Sequence, residues 1–94
     1  DYQKVVRDFA FVIDEKYTSG EIISLVKKIN AELIKEVKIF DVYQGDNITP
    51  GKKSIAFNVV LEPKDRTLNE KDIDAVSKKI ISTVQETTGA SLRS

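Results

Sequence analysis

The fold is decided by the stretch Ser54-Ile55-Ala56-Phe57-Asn58-Val59-Val60-Leu61-Glu62. Its side chains alternate between two sets, which is typical of a β-strand with one face on a core and one face elsewhere. The larger, wholly apolar set is Ile55, Phe57, Val59 and Leu61. The other set is Ser54, Ala56, Asn58 and Val60. We therefore predict a strand that packs its first set beneath helices and leaves its second set on an open face.

A second strand precedes this one and forms a hairpin with it. Residues 37–43 read as a strand, and the loop that follows contains Pro50-Gly51. Proline presets φ and glycine accepts a positive φ, so this pair is typical of a type II turn. The same alternation predicts that Phe40 and Val42 are buried. It predicts that the outward residues are Ile39, Asp41 and Tyr43.

The segment before the hairpin predicts one strand and one helix. Residues 5–13 are rich in aromatic and β-branched side chains and are short enough for a strand. Thr18 and Glu21 have the spacing of a capping box, and apolar residues then recur at helical intervals. We expect this helix to run from about Gly20 to Lys35. The strand should bury Phe9, Phe11 and Ile13 and turn Asp8, Ala10 and Val12 outward.

The segment after the hairpin predicts another helix and a short strand. A second capping box begins at either Thr67 or Asn69, and Gly89 is a natural left-handed stop. A last strand over residues 90–93 would bury Leu92 and expose its two neighbours, Ser91 and Arg93. The buried stripe of the helix should be Ile73, Val76, Ile80 and Val84.

These elements follow one another in the order βαββαβ, which defines the fold class as α+β. We expect a ferredoxin-like sandwich: a four-stranded antiparallel sheet with two helices on one face. No repeat, linker or low-complexity segment interrupts the chain, so one domain over residues 1–94 is expected.

Composition excludes several functions. The chain has 94 residues, 15 basic and 15 acidic side chains, and no His, Cys, Met or Trp. Without His and Cys, nucleophilic triads, zinc fingers and disulfides are excluded. The zero net charge argues against an autonomous, charge-driven nucleic-acid binder. No run approaches the about 20 apolar residues of a membrane helix. The absence of Met favours a fragment of a larger chain, and the absence of Cys is compatible with a cytoplasmic location. We expect a non-catalytic domain without a membrane partner.

The predicted open face offers a platform for a flat ring. Tyr43 is the one aromatic residue among the strand positions predicted to face outward, whereas all four Phe residues are assigned to the core. The neighbours of Tyr43 on this face are small or polar: Ala10, Asp41, Ser54, Ala56 and Asn58. An aromatic ring among small side chains can stack on a nucleobase. The alternative is a half-exposed sheet on which Tyr43 only covers apolar surface.

Other motifs give weaker signals. Gly45 to Lys53 lacks the spacing of a phosphate-binding loop and lies inside a hairpin. Asp8 and Asp41 share a face, but no neighbouring group supports acid–base catalysis by this pair of carboxylates. Asp14-Glu15 is more typical of solvated carboxylates than of a metal site. Lys52-Lys53 at the hairpin tip is either solvated surface or a phosphate contact. The third strand lacks the exposed aromatics of an RNA-recognition motif.

Five ordered motifs carry a specific resemblance. They are Arg7-Asp8-Phe9-Ala10-Phe11-Val12, Phe40-Asp41-Val42-Tyr43-Gln44-Gly45, Gly51-Lys52-Lys53-Ser54-Ile55-Ala56-Phe57, Asp65-Arg66-Thr67-Leu68 and Gly89-Ala90-x-Leu92-Arg93, where x is any residue. Together they resemble the ferredoxin-fold anticodon-binding domain that ends the β subunit of bacterial phenylalanyl-tRNA synthetases. The resemblance spans nearly the whole chain.

The resemblance implies that the open face holds the anticodon stem-loop of the phenylalanine tRNA. The RNA-binding positions that it implies are Ala10, Asp41, Tyr43, Ser54 and Arg93. All five are among the alternate strand positions assigned above to the open face. Tyr43 would stack on a base, and Asp41 would accept from the donor edge of guanine. Ser54 would form a hydrogen bond, and Arg93 would pair with phosphate or stack. Arg66 is interpreted as structural.

The resemblance also implies partners and cofactors outside these residues. The partners would be the rest of the β subunit and a catalytic α subunit. ATP and magnesium would be used by the parent ligase, with no cofactor in this chain. The competing hypothesis is a ferredoxin-like regulatory or assembly module that binds a small ligand or a protein, since fold alone does not assign function.

Overall fold

The computed structural model describes residues 3–63 and 67–93 of the chain. Its elements are β1 (Val5–Asp14), α1 (Ser19–Lys27), β2 (Ile34–Tyr43), β3 (Lys52–Leu61), α2 (Glu70–Thr88) and β4 (Ser91–Leu92). The strands form one antiparallel sheet in the order β2-β3-β1-β4. The predicted βαββαβ order and α+β class are therefore confirmed.

One face of the sheet is sealed by apolar side chains from the strands and helices. The inward residues predicted for β1 and β3 are all buried, and Phe11 and Phe57 are fully inaccessible. The Phe57 ring stacks between Phe9 and Phe11, with centroid distances of 5.6 and 5.9 Å. The helix residues predicted to cover them, Ile73, Val76, Ile80 and Val84, are buried as well. This face holds the hydrophobic core.

Both helices begin at the capping boxes seen in the sequence. The Glu21 N–H donates to the Thr18 hydroxyl at 3.1 Å, and the Thr18 N–H donates to the Glu21 carboxylate at 2.9 Å. Of the two boxes possible for α2, the one at Asn69 forms, with Asp72 as its partner. Reciprocal bonds of this kind satisfy N–H groups that lack a partner within the helix.

The predicted ends of the β2–β3 hairpin and of α2 are confirmed by glycines with positive φ. Gly51 has φ of 86°, and the Lys52 N–H donates to the Thr49 carbonyl at 3.0 Å across Pro50-Gly51. Gly89 has φ of 74° and terminates α2. Neither conformation is open to a side chain without strain.

The predicted length of α1 is wrong, because the helix ends at Lys27 and not near Lys35. The apolar spacing continues past the true end, so periodicity alone does not reveal it. Asn30 forms a local turn instead: its side-chain oxygen accepts from the Leu33 N–H at 3.1 Å, and its carbonyl accepts from Ile34 at 2.9 Å. Asparagine competes for backbone groups in this way and so favours turns.

The predicted burial of Phe40 is also wrong, because β2 contains a bulge. Ile39 pairs with Phe57 and Asp41 pairs with Ala56, so Phe40 is an extra residue between them. Phe40 is 55% exposed, and Ile39 packs against the core although it was predicted to face outward. An extra residue reverses the alternation on one side of the bulge.

Two further residues lie on the predicted face but are not buried. Val42 pairs with Ile55 and Leu92 pairs with Phe11, so both face the helix side of the sheet. Their side chains remain 48% and 42% exposed. Since β2 and β4 are the edges of the sheet, no strand flanks these residues on the outer side. Alternation assigns the face, whereas the position in the sheet decides the burial.

Across residues 3–63 and 67–93, neither helix has the length and apolar character required to cross a membrane.

Candidate nucleic-acid interface

A row of small side chains crosses the open face from one edge of the sheet to the other. Asp41 on β2 lies opposite Ala56 on β3, and Ala56 lies opposite Ala10 on β1. The Arg93 N–H donates to the Ala10 carbonyl at 2.7 Å, which extends the row to the far edge. The row therefore has two alanines between an exposed carboxylate and a guanidinium. At the usual strand spacing its ends are about 14 Å apart.

A second row runs beside the first, toward the hairpin. Tyr43 lies opposite Ser54, and Ser54 lies opposite Val12, which pairs with Ser91. Tyr43 is 44% exposed, so much of its ring is open to solvent. The ring thus stands at the edge of the platform formed by the small residues of both rows.

A hydrogen bond ties the far end of the first row to the second. Arg93 Nη1 donates to the Ser54 hydroxyl oxygen at 2.8 Å. Ser54 is 5% exposed and is the buried polar residue of the described chain, whereas Arg93 is exposed. With its backbone N–H on Ala10 and its side chain on Ser54, Arg93 is directed across the open face. Its planar guanidinium retains further donors for a ligand.

The five predicted site residues therefore lie together. Ala10, Asp41 and Arg93 occupy the first row, and Tyr43 and Ser54 occupy the second. The bulge in β2 ends before Asp41, so the faces predicted for Asp41 and Tyr43 are correct although that of Ile39 is not.

The arrangement has the chemistry of a surface that binds flat polar rings. The Tyr43 ring can stack, the two alanines let a base approach the sheet closely, and the charged ends can form directional hydrogen bonds. Within residues 3–63 and 67–93, no group of three His, Cys, Asp or Glu side chains is arranged to bind a metal ion.

Some neighbouring residues were not singled out by the sequence. Ala56 is central to the first row but was only noted as part of the face. The row on the other side of it joins Lys38, Asn58 and Asp8. Strand register is the signal that identifies these neighbours, and it depends on the bulge. Asp8 thus lies one row away from Asp41 rather than beside it.

The two lysines near the hairpin differ. Lys53 Nζ donates to the Tyr17 carbonyl, so this ammonium is held by its own chain. Lys52 lies opposite Asp14 at the end of β1. The phosphate contact considered for this pair stays a prediction. The structural role expected of Arg66 lies outside the described residues.

The antiparallel βαββαβ sheet with its five site residues on one open face defines a ferredoxin-like domain with a candidate binding face, and comparison with known families is specific. The chain belongs to the ferredoxin-fold anticodon binding domain family, whose model matches residues 1–93. It is 42% identical over 92 residues to the phenylalanine–tRNA ligase beta subunit of Rhodopseudomonas palustris. The aligned residues make up 98% of this chain and 12% of that relative.

Two other relatives give the same result. The phenylalanine–tRNA ligase beta subunit of Rhodospirillum rubrum is 45% identical over 93 residues, covering 99% of this chain and 12% of the relative. That of Rickettsia prowazekii is 42% identical over 86 residues, covering 92% of this chain and 11% of the relative. The chain thus spans about an eighth of the length of the curated relatives it matches.

Proposed function

We propose that this chain holds the anticodon loop of the phenylalanine tRNA on the open face of its sheet. The observation that carries the proposal is the convergence of Ala10, Asp41, Tyr43, Ser54 and Arg93 in two adjacent rows. The family to which the chain belongs is named for anticodon binding, and relatives named as phenylalanine–tRNA ligase beta subunits support the choice of tRNA.

Each residue has a role that follows from its place. Tyr43 stacks on an anticodon base, an interaction that truncation to Ala weakens by about 1–3 kcal/mol. The Asp41 carboxylate accepts from N1–H and N2–H₂ of guanine, the first anticodon base, and rejects adenine because adenine lacks that donor pair.

The remaining roles follow from the link between Arg93 and Ser54. Arg93 binds a phosphate or stacks on a base, with its side chain held by the nearly buried Ser54 hydroxyl. Ser54 therefore contributes mainly by positioning Arg93. Ala10 keeps the surface low enough for a base to reach the sheet.

The wider assignment follows from the relatives. We propose that residues 1–94 are one domain of a longer β subunit, which acts with a catalytic α subunit in the cytoplasm. ATP and magnesium are assigned to other parts of that ligase, because the open face offers stacking and hydrogen bonding rather than a cluster of metal ligands. The zero net charge is consistent with this division, since few phosphates need neutralising here.

The test is the charging of phenylalanine tRNA by the complete ligase that carries this chain. We expect Tyr43→Ala and Asp41→Asn each to lower kcat/KM by at least about fivefold, since about 1 kcal/mol corresponds to that factor. Amino-acid activation measured without tRNA is the internal control and should not change. If charging by both variants stays within twofold of wild type, the base-reading assignment is wrong.

The competing hypothesis of an assembly module has less support. It requires a hydrophobic open face or a free edge that pairs with another strand. The two rows that hold the site residues are mostly small or polar, the apolar pair Val6 and Val60 lies two rows from Ala56, and the edge strand β2 carries the bulge at Phe40. Bulges at sheet edges hinder pairing with a second chain. Fluorescence titration with the anticodon stem-loop, beside a thermal-shift screen with amino acids, separates the two hypotheses.

A further inference from the structure

We infer that Gly45 is a positioning residue for the stacking ring of Tyr43. The inference rests on the proposed function and adds to it a residue outside the predicted site. It starts from a close approach: a Cβ built on Gly45 would lie 2.6 Å from Cζ of Tyr43, and closer still to its hydroxyl oxygen. Cβ atoms in proteins essentially never lie within 3.0 Å of a heavy atom outside their own residue and its chain neighbours. The Tyr43 ring therefore occupies the space that any side chain at position 45 would need.

The backbone does not explain a glycine at this position. Among the described residues, the glycines with positive φ are Gly51 and Gly89. Gly45 is therefore in a conformation that alanine can also adopt without strain. What distinguishes the position is the ring lying against it.

The backbone around Gly45 is held on both sides, which limits its retreat from the ring. On one side, Gln44 Nε2 donates to the Glu15 carboxylate at 2.7 Å and to the Lys52 carbonyl at 3.4 Å. On the other side, the Gly45 carbonyl accepts from the N–H of Ile48 at 3.0 Å, and the Ile48 side chain is buried. These contacts hold the loop against β1 and β3.

The ring, by contrast, can move. Its clashing atoms are at the far end of a side chain that is 44% exposed. A methyl group at position 45 would therefore displace the Tyr43 ring into solvent and leave the sheet unchanged. Glycine at position 45 thus sets the orientation in which the ring meets a base.

The experiment is a double-mutant cycle in the complete ligase. We expect Gly45→Ala to raise KM for the tRNA by about threefold to tenfold, with kcat within twofold and amino-acid activation unchanged. In the Tyr43→Ala background, the same substitution should change KM by less than twofold, because the ring that it displaces is absent. Such non-additivity is the mark of direct coupling between two residues.

The matched control is Gly20→Ala. The nearest atom to a Cβ at Gly20 is the Thr18 hydroxyl oxygen at 3.9 Å, an ordinary contact on the helix side of the domain. This variant should charge tRNA within twofold of wild type. Thermal unfolding of each variant reports any loss of the fold itself, which we expect to be small for Gly45→Ala.

The outcomes separate this inference from the proposed function. If Tyr43→Ala lowers charging but Gly45→Ala leaves KM within twofold, the positioning role is wrong and the anticodon assignment stands. An equal KM increase from Gly45→Ala with and without Tyr43 would also overturn it. If Tyr43→Ala itself has no effect, the positioning role of Gly45 is wrong as well, and the proposed function fails when Asp41→Asn also has none.

Discussion

The two faces of β3 differ in what they contribute to the protein. On the helix side, Ile55, Phe57 and Val59 are inaccessible to solvent and make the centre of the core. On the open side, Ala56 stands between Asp41 and Ala10 with little side chain of its own. The helix side thus contributes burial, which stabilises the fold, and the open side contributes shape and polar groups, which a ligand can use.

This separation implies that stability and RNA binding can be changed independently. A substitution on the helix side should lower the free energy of unfolding, whereas one on the open side should lower tRNA charging in a folded protein. The following predictions test that separation, from the largest expected effect to the smallest.

Phe57→Ala should lower the free energy of unfolding by about 3–5 kcal/mol, the usual loss for a fully buried Phe. The cause is the cavity left between Phe9 and Phe11, whose rings stack on Phe57. Chemical denaturation followed by circular dichroism measures it. The adjacent open-face variant Asn58→Ala is the control and should change stability by about 0.5 kcal/mol or less. Equal losses would contradict the division between faces.

Ala56→Leu should lower kcat/KM for charging by an amount equivalent to about 1–3 kcal/mol, the scale of one lost stacked base. The larger side chain would stand between Asp41 and Ala10 and keep a base from the sheet. It should leave the unfolding free energy nearly unchanged, since it adds apolar surface without opening a cavity. Val60→Leu, on the same face but two rows from Ala56, is the matched control. Unchanged charging by Ala56→Leu would show that no base approaches this row.

Asn69→Ala should lower the free energy of unfolding by about 0.5–2 kcal/mol, because it removes the N-cap of α2. The KM for tRNA should not change, since the cap lies on the helix side. Thr67→Ala removes the competing capping box suggested by the sequence, and it should be nearly neutral. If Thr67→Ala lowered the free energy of unfolding more than Asn69→Ala does, Thr67 rather than Asn69 would be the N-cap of α2.

Ser54→Ala should have the smallest effect, a loss of about 0.5–1.5 kcal/mol in tRNA binding. The substitution removes the acceptor that holds Arg93 Nη1 at 2.8 Å and frees the guanidinium to sample other rotamers. Filter binding of tRNA to the complete ligase measures it. Ser24→Ala removes an exposed hydroxyl on α1, away from the open face, and serves as control. If Arg93→Ala weakens binding equally in the wild-type protein and in the Ser54→Ala variant, Ser54 does not act through Arg93.

Much of the fold could be predicted because β1 and β3 are regular. β3 lies between two strands, and β1 pairs with β3 along its whole length, so alternation runs without interruption and burial follows from it. The inward and outward side chains of the edge strand β2 were harder to predict, because the sequence around Phe40 gives no sign that this residue is an extra one in a bulge. The end of α1 was missed for a similar reason: the apolar spacing continues after the Asn30 turn has stopped the helix.

The candidate site could be predicted as a face but not as an arrangement. Strand alternation and the family resemblance both predicted that Asp41, Tyr43 and Ser54 lie on the open side. The rows that they form depend on strand register, which the bulge and the loop between β2 and β3 determine. The bond from Arg93 to Ser54 joins residues 39 positions apart and has no local signal. The approach of Tyr43 to Gly45 likewise appears only in three dimensions.

The most direct test of anticodon binding by the open face is a double-mutant cycle between protein and RNA. The complete ligase, wild type or Tyr43→Ala, is assayed with tRNA carrying its own anticodon and with tRNA whose anticodon nucleotides lack their bases, because a ring stacks on any base. We predict that Tyr43→Ala lowers kcat/KM at least about fivefold on the native tRNA and less than twofold on the altered tRNA. Equal losses on both tRNAs would contradict the claim, because Tyr43 would then act without contacting the anticodon.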